Sequence, residues 1–367
     1  MNVLQKDLKS ANGTGIEIID CDIHPALRSL RDYEPFLEKR WRDHLVEFGD
    51  NSREPFSDTI QYPRMAPAIS RADAWPPSGG PPGSDLDFMR EQHLDPMGVQ
   101  YGVLIPLLAR ANNQRNLDFA AAMASAANRW QLANWLEKER RLRGSIIVAH
   151  EHPEAAVAEI ERWADHPDFV QILLPPRSTE PLGRRRYWPI YEAAEKHDMP
   201  IALHIGGTPG HAPTSSGWVS YYFEEHHSNV QTMQALTTSL ILEGVFERFP
   251  KLRVLLIESG IGWVAPLAWR LDKHWRRLSR EVPHLKMAPS EYFKRNIWFT
   301  TQPIDEPERR QDLRTIIDWV GRDRILFATD YPHWDFDDPR YVFKGALDIK
   351  ESADIYRNNA RSFYGLD

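Results

Sequence analysis

One cysteine, Cys21, is present in 367 residues, which excludes an intramolecular disulfide and any zinc or iron–sulfur site built from several thiolates. No uninterrupted apolar stretch approaches the about 18 residues that a membrane-spanning helix needs. Charge of one sign is not gathered anywhere: 45 Lys+Arg against 52 Asp+Glu leave a net charge of −7 without long blocks. Neither a nucleic-acid footprint nor a membrane-attracting face is therefore expected, and the partner to look for is a small-molecule substrate. The opening MNVLQKDLKSANGTG has no apolar core of signal-peptide length, so the expectation is a cytoplasmic protein. A GxGxxG after the first apolar run and a Walker-type phosphate loop are both lacking, which weakens a nucleotide-binding reading. Proline, by contrast, is in excess, with 28 residues where a usage of ~5% gives about 18. With 13 tryptophans beside them, long ordered loops around an apolar pocket are expected. Hydrophobic residues at 42% suffice for a large core.

The chain reads as a regular alternation. Short apolar runs lie at 16–22, 101–106, 144–149, 169–175, 200–205, 252–258, 296–301 and 324–330. Stretches of helical period separate the later ones, at 116–141, 153–165, 188–197, 230–249, 264–280 and 306–320. Near-continuous apolar strands alternating with helices predict a parallel sheet covered on both faces. Eight such units favour an α/β architecture of the (β/α)8 TIM-barrel type over an open doubly wound sheet. Residues 31–95 interrupt the pattern with a helix expected at 32–46 and a Pro/Gly/Ser-rich stretch centred on PPSGGPPGSD. That stretch could link two domains, but too little chain precedes it. The expectation is one domain over 1–367 with 31–95 inserted after the first strand.

In a barrel the chemistry sits where strands end. The first run ends in Asp22-Ile-His24, and a period of two puts both side chains on one side of the strand. The fifth ends in His204 before two glycines, the sixth in Glu258, and the eighth in Asp330-Tyr-Pro-His333-Trp334. Any one of these taken alone is more often a loop cap than a ligand. Two imidazoles and two carboxylates converging on one barrel mouth make a mixed N/O site for a single divalent ion. Zinc is the first expectation, with manganese, iron or cobalt also suited.

DCDIHP, LHIGG, RFPKLRVLLIESG and ILFATDYPHWD, in this order from about residue 16 to the C-terminus, together resemble the amidohydrolase-related group of the amidohydrolase superfamily. That group includes aminocarboxymuconate semialdehyde decarboxylase, γ-resorcylate decarboxylase and several hydrolases. The resemblance implies a (β/α)8 barrel with one divalent ion. By motif position Asp22, His24, His204 and Asp330 would be its ligands, and Asp330 would also exchange protons with bound water or substrate. In the decarboxylases the sixth strand ends in a histidine near the metal, where this chain has Glu258. A second ionised carboxylate there would repel an anionic substrate. A glutamate can instead orient a water or shuttle its proton. It could equally pair with an arginine at the barrel rim.

The leading expectation is accordingly a metal-dependent hydrolase, in which activated water attacks an amide, ester or lactone of a small aromatic or cyclic compound. Asp330 and Glu258 would be catalytic. The alternative is a metal-dependent non-oxidative decarboxylase of an aromatic or vinylogous acid, with Asp330 delivering the proton. A binding protein that keeps the barrel without its catalysis is a third reading. Substrate contacts are expected from Arg177, as a carboxylate clamp or else paired with Glu180, and from His333, Trp334, His211 and Trp218. His226 and His227 read as structural or interfacial, Arg184–Arg186 as a solvated face or oligomer contact, and Trp269 as a packing residue. A homodimer or higher homo-oligomer is expected from the related barrels.

Overall fold

The computed structural model describes residues 17–50, 65–107, 109, 111, 114–205, 212 and 214–367. Eight strands form one sheet in the order β1 to β8. They are β1 Ile18–Ile23, β2 Val99–Leu104, β3 Leu142–Ile147, β4 Phe169–Leu174, β5 Ile201–His204, β6 Val254–Ile257, β7 Ile297–Thr300 and β8 Ile325–Leu326. Each neighbouring pair is parallel. The eighth strand leaves its ladder early, yet closure onto β1 continues beyond it. The Cys21 amide donates to Phe327 O at 3.0 Å and that of His24 to Tyr331 O at 2.8 Å. All eight strand segments expected from the sequence are present, as the (β/α)8 barrel requires.

The physical cause is apolar continuity. Every side chain of β1, β4, β5 and β6 is buried, because the barrel interior takes one face and the helices the other. Helices such as Leu117–Gln131, Pro153–Trp163 and Arg310–Val320 supply that outer layer. Two of the expected helices are divided. The one expected at 32–46 splits into a 3-10 turn, Leu30–Phe36, and an α-helix, Lys39–Phe48, since Pro35 has no amide to carry the helix on. The one expected at 230–249 divides at Gly244 into a longer helix that starts early, Tyr222–Leu242, and a short one, Val245–Arg248. Glu224 accepts from the amides of Ser220 and Tyr221 at 3.2 and 3.1 Å, which satisfies orphan donors and starts the helix early. Trp269, expected to pack, is 56% exposed and meets Trp319 edge-on.

The proline- and glycine-rich stretch packs against the strand ends through Gly83. Its φ is +78°, and a Cβ there would lie 2.2 Å from the carbonyl oxygen of His24. Gly83 O accepts from the Ala26 amide at 2.9 Å, locking the loop to the residues that follow β1. Gly79 has a similar φ of +83° but nothing within 4 Å of its Cβ position. Gly79→Ala should therefore cost only the left-handed penalty of about 1 kcal/mol, and Gly83→Ala about 2 kcal/mol or more. Denaturant unfolding of the two variants measures the difference; equal losses would show that the wall at His24 yields freely.

Candidate metal centre and active site

The barrel brings five polar strand-end residues together. Asp22, His24, His204, Glu258 and Asp330 are all buried, and each offers a ligand atom within 4.8 Å of the others. His24 Nε2 lies 3.1 Å from Asp22 Oδ1 and 2.8 Å from Asp330 Oδ1. His204 Nε2 lies 3.4 Å from Asp22 Oδ2 and 3.2 Å from Glu258 Oε2. Two of these residues need unusual backbone to point inward. Glu258 has φ +55° and Asp330 φ +63°, a left-handed conformation that costs a non-glycine residue about 1–2 kcal/mol. Such strain persists only where the surroundings fix it: the Glu258 amide donates to Thr300 Oγ1 at 3.0 Å.

The protonation pattern leaves lone pairs facing one another. His24 Nδ1–H donates to Ile105 O at 2.8 Å, and His204 Nδ1–H to Ile205 O, so both Nε2 atoms turn bare toward the cluster. Both oxygens of Asp22 and Nε2 of His204 are buried without a hydrogen-bond partner. Burial pushes His24 down to about 4, so its ring is neutral at neutral pH. Burial, then Asp335 and Asp22, push Glu258 well above the ordinary carboxylate range. Asp330 rises well too, from burial and then from Glu258, Asp22 and Asp335. Crowded buried acceptors, with both Asp22 oxygens and His204 Nε2 left unpartnered, are the signature of a cation site. The donor set fits one divalent ion, and the oxygen-rich mixture suits manganese as well as zinc.

Around this core the structure places three residues that the sequence reading did not. Gln302, immediately after β7, donates from Nε2 to Asp330 Oδ2 and to Asp335 Oδ2, each at 3.1 Å. Asp335 accepts from His226 Nε2 at 3.0 Å, and His226, Glu258 and Asp335 form a second close group. His226 therefore stands beside Glu258 and Asp335, next to the five-donor cluster. Gln302 was open to the same strand-end rule that found the others. Asp335 lies five residues beyond Asp330, where only the turn of the chain brings it back.

His333, expected to contact substrate, lies beside Asp330 and His24. Its Nδ1 lies 2.6 Å from Asp330 Oδ1, and its ring stacks on His24 at 4.3 Å. Burial holds its pKa well below the usual value, followed by the neighbouring His24 and His204. Trp334 stands at the rim, 41% exposed, with Nε1–H donating to Tyr222 OH at 3.1 Å. Its ring lies 5.6 Å from that of His226. Trp218 is 52% exposed. His211 falls outside the described residues.

Arg177, on the loop after β4, donates from Nη2 to Thr232 Oγ1 at 3.2 Å. It lines a cavity of about 810 Å³ with Ser178, Glu180, Gln231 and Ser239, a set that includes none of the five donors. Glu180 pairs instead with Arg184 and Arg186, at 3.3 and 3.4 Å. Among the described residues the near neighbour of the Glu258 carboxyl group is His204 Nε2 at 3.2 Å, not an arginine of the rim. Cys21 is buried and its thiol is pushed well up, by burial first and then by Asp20 and Asp22. Among the described residues no helix is long and apolar enough to cross a membrane.

The amidohydrolase family model matches residues 19–366. A γ-resorcylate decarboxylase from a Polaromonas species is 27% identical over 294 residues, covering 77% of this chain and 88% of that protein. The 5-carboxyvanillate decarboxylase of Novosphingobium aromaticivorans, solved with bound manganese and 3-methoxy-4-hydroxy-5-nitrobenzoic acid, superposes with a TM-score of 0.72 at 19% identity, over 97% of this chain and 99% of that one. A Polaromonas dihydroxybenzoic acid decarboxylase with manganese and 2-nitroresorcinol gives 0.64 at 22% identity, over 96% and 97%.

Proposed function

The chain belongs to the amidohydrolase family, and from that premise we propose that it is a metal-dependent, non-oxidative decarboxylase of hydroxylated aromatic carboxylic acids. The observation that carries the reading is the buried five-donor cluster with Asp330 at its inner wall, tied on one oxygen to His24 and His333 and on the other to Gln302. The relative matched over most of the chain supports decarboxylation ahead of hydrolysis, which the sequence alone had favoured. The objection drawn from Glu258 also weakens. Its carboxyl group meets His204, and burial with two neighbouring carboxylates pushes it toward its neutral form. Manganese moves ahead of zinc, because carboxylates outnumber imidazoles in the donor set and because two structurally similar decarboxylases were solved with manganese.

Asp22, His24, His204 and Asp330 would hold the ion, with Glu258 beside them. Bound there, the ion would supply positive charge for the substrate's carboxylate and a neighbouring hydroxyl. Asp330, in its protonated form, transfers its proton to the ring carbon that bears the carboxylate. The bond from that carbon to the carboxyl carbon then breaks, its electron pair restores the aromatic ring, and carbon dioxide leaves. One proton is consumed per turnover. Gln302 fixes the plane of the Asp330 carboxyl group through Oδ2, so the other oxygen faces His24 and His333. Trp334 and Tyr222 form an aromatic wall that suits a planar ring.

Hydrolysis is kept as a second reading because a carboxylate, Glu258, stands where the resembling decarboxylases carry a histidine. Protein loaded with manganese and offered 2,6-dihydroxybenzoate, 5-carboxyvanillate, aryl esters, anilides and lactones separates the two by mass spectrometry. Loss of carbon dioxide from a hydroxylated aryl acid is expected. Gain of water by an ester, anilide or lactone, with the acids untouched, would overturn the proposal.

A further inference from the structure

Asp20, on β1 two residues before Asp22, is fully buried and is not one of the five donors. Its carboxylate nevertheless gathers four hydrogen bonds. Oδ1 accepts from the Thr329 amide at 2.9 Å and from the Asp22 amide at 3.3 Å. Oδ2 accepts from Thr329 Oγ1 at 2.6 Å and from His93 Nε2 at 2.7 Å. Thr329 Oγ1 in turn accepts from the Tyr331 amide at 3.2 Å. The residues on either side of Asp330 are thus both tied, directly or in one step, to a single carboxylate on β1. Asp330 itself is held at φ +63° between them.

His93 comes from a different part of the chain, the helical turn Arg90–Leu94 that closes the segment inserted between β1 and β2. Its ring stacks flat on Tyr331, with centroids 4.5 Å apart and planes 9° from parallel. The neighbouring Gln92 accepts from Tyr331 OH at 2.8 Å. With Nε2–H given to Asp20, Nδ1 is left buried without a partner. Apolar packing alone would not call for an imidazole here, since a phenyl ring would fill the space and leave no orphan nitrogen. The donor to Asp20 is what an imidazole adds.

We propose that Asp20 and His93 are a positioning pair: through Thr329 and Tyr331 they set the left-handed turn that aims Asp330 into the metal cluster, and they make the inserted segment a part of the active-site frame. This rests on the reading of Asp330 as ligand and proton carrier. Asp20 also grips the amide of Asp22, so the same pair aligns ligands from the first and last strands against each other. A reader of the strand-end pattern alone would not reach His93, which lies in a segment that has no strand.

The test uses His93→Phe, which keeps the ring stack on Tyr331 and removes the donor, His93→Gln, which keeps an N–H, and Thr329→Val, which keeps shape and removes the hydroxyl. Each is compared with wild type as full-length protein, by thermal melting, by the visible spectrum of the cobalt(II)-loaded form, and by kcat and KM on the turned-over acid. His93→Phe and Thr329→Val should shift the cobalt spectrum and lower kcat by about ten- to a hundred-fold, with KM within about two-fold. His93→Gln should restore most of both. If His93→Phe fails to melt cooperatively, Thr329→Val decides. A cooperatively folded variant of either kind with the wild-type spectrum and kcat would overturn the proposal. The spectrum reads ligand geometry without any substrate, so failure of the decarboxylase reading and failure of this one are told apart.

Discussion

Asp330→Asn should keep the metal and lose the reaction, with kcat falling by about two to four orders of magnitude. The amide preserves the shape and one oxygen donor, and Asp22, His24 and His204 remain to hold the ion. What it removes is a proton-carrying group that is fully buried, hydrogen-bonded to Gln302 and His333, and pushed by burial and its carboxylate neighbours well above its usual pKa. In the metal-free chain a group so placed holds its proton more tightly than an ordinary surface aspartate, the direction that a proton donor to carbon needs. Metal content by elemental analysis and kcat at substrate saturation check the two halves together. A variant that turns over within about ten-fold of wild type, with metal bound, would remove Asp330 from the proton-transfer role.

Stripping the ion should lower stability by about 3 kcal/mol, the amount a ligand at a few hundred times its dissociation constant contributes, and the deficit should grow as pH rises. In the metal-free protein Glu258 and Asp330 have folded-state pKa values raised above their unfolded ones. The folded chain then retains protons that the unfolded chain has released, so stability falls as pH climbs from the ordinary carboxylate range toward the raised values. His24, pushed down to about 4 from 6.5, acts oppositely: the unfolded chain binds the extra proton, and stability rises across that interval. His333 shifts the same way. Those imidazole contributions are complete once pH passes the unfolded value, and above it only the carboxylate loss continues. A bound cation favours the ionised form of the carboxylates beside it and so lessens that loss. Melting curves of stripped and manganese-loaded protein at about pH 6 and about pH 8 read the difference. A gap that stays constant or narrows would mean that the carboxylates are not crowded as the geometry has them.

Much of this site could be read before any coordinates because strand ends in a barrel converge whatever the loops do. Asp22, His24, His204, Glu258 and Asp330 each follow directly from an apolar run, and the barrel needs no further information to bring them together. Residues placed by turns were beyond that rule. Asp335 reaches Gln302 and His226 because the chain reverses after Asp330, and a backbone at φ +63° leaves no periodic trace. His226 reads as structural or interfacial at the opening of a helical stretch, whereas the Glu224 cap starts the helix at Tyr222, and His226 within it meets Asp335. The expected helix at 32–46 failed at Pro35, a local signal outweighed by the apolar spacing around it. The order of the two reactions could not come from spacing at all. Glu258 has the same place in either, and its partner His204 and its burial beside Asp335 and Asp22 become visible only in the fold.

The central claim is that a proton reaches carbon as carbon dioxide leaves. Turnover of a hydroxylated aryl acid by the manganese-loaded protein in heavy water, followed by proton NMR and mass spectrometry of the product, tests it most directly. The account predicts release of carbon dioxide and a phenol bearing one deuterium at the carbon that carried the carboxylate. Acids left intact, together with an ester, anilide or lactone converted by addition of water, would contradict it.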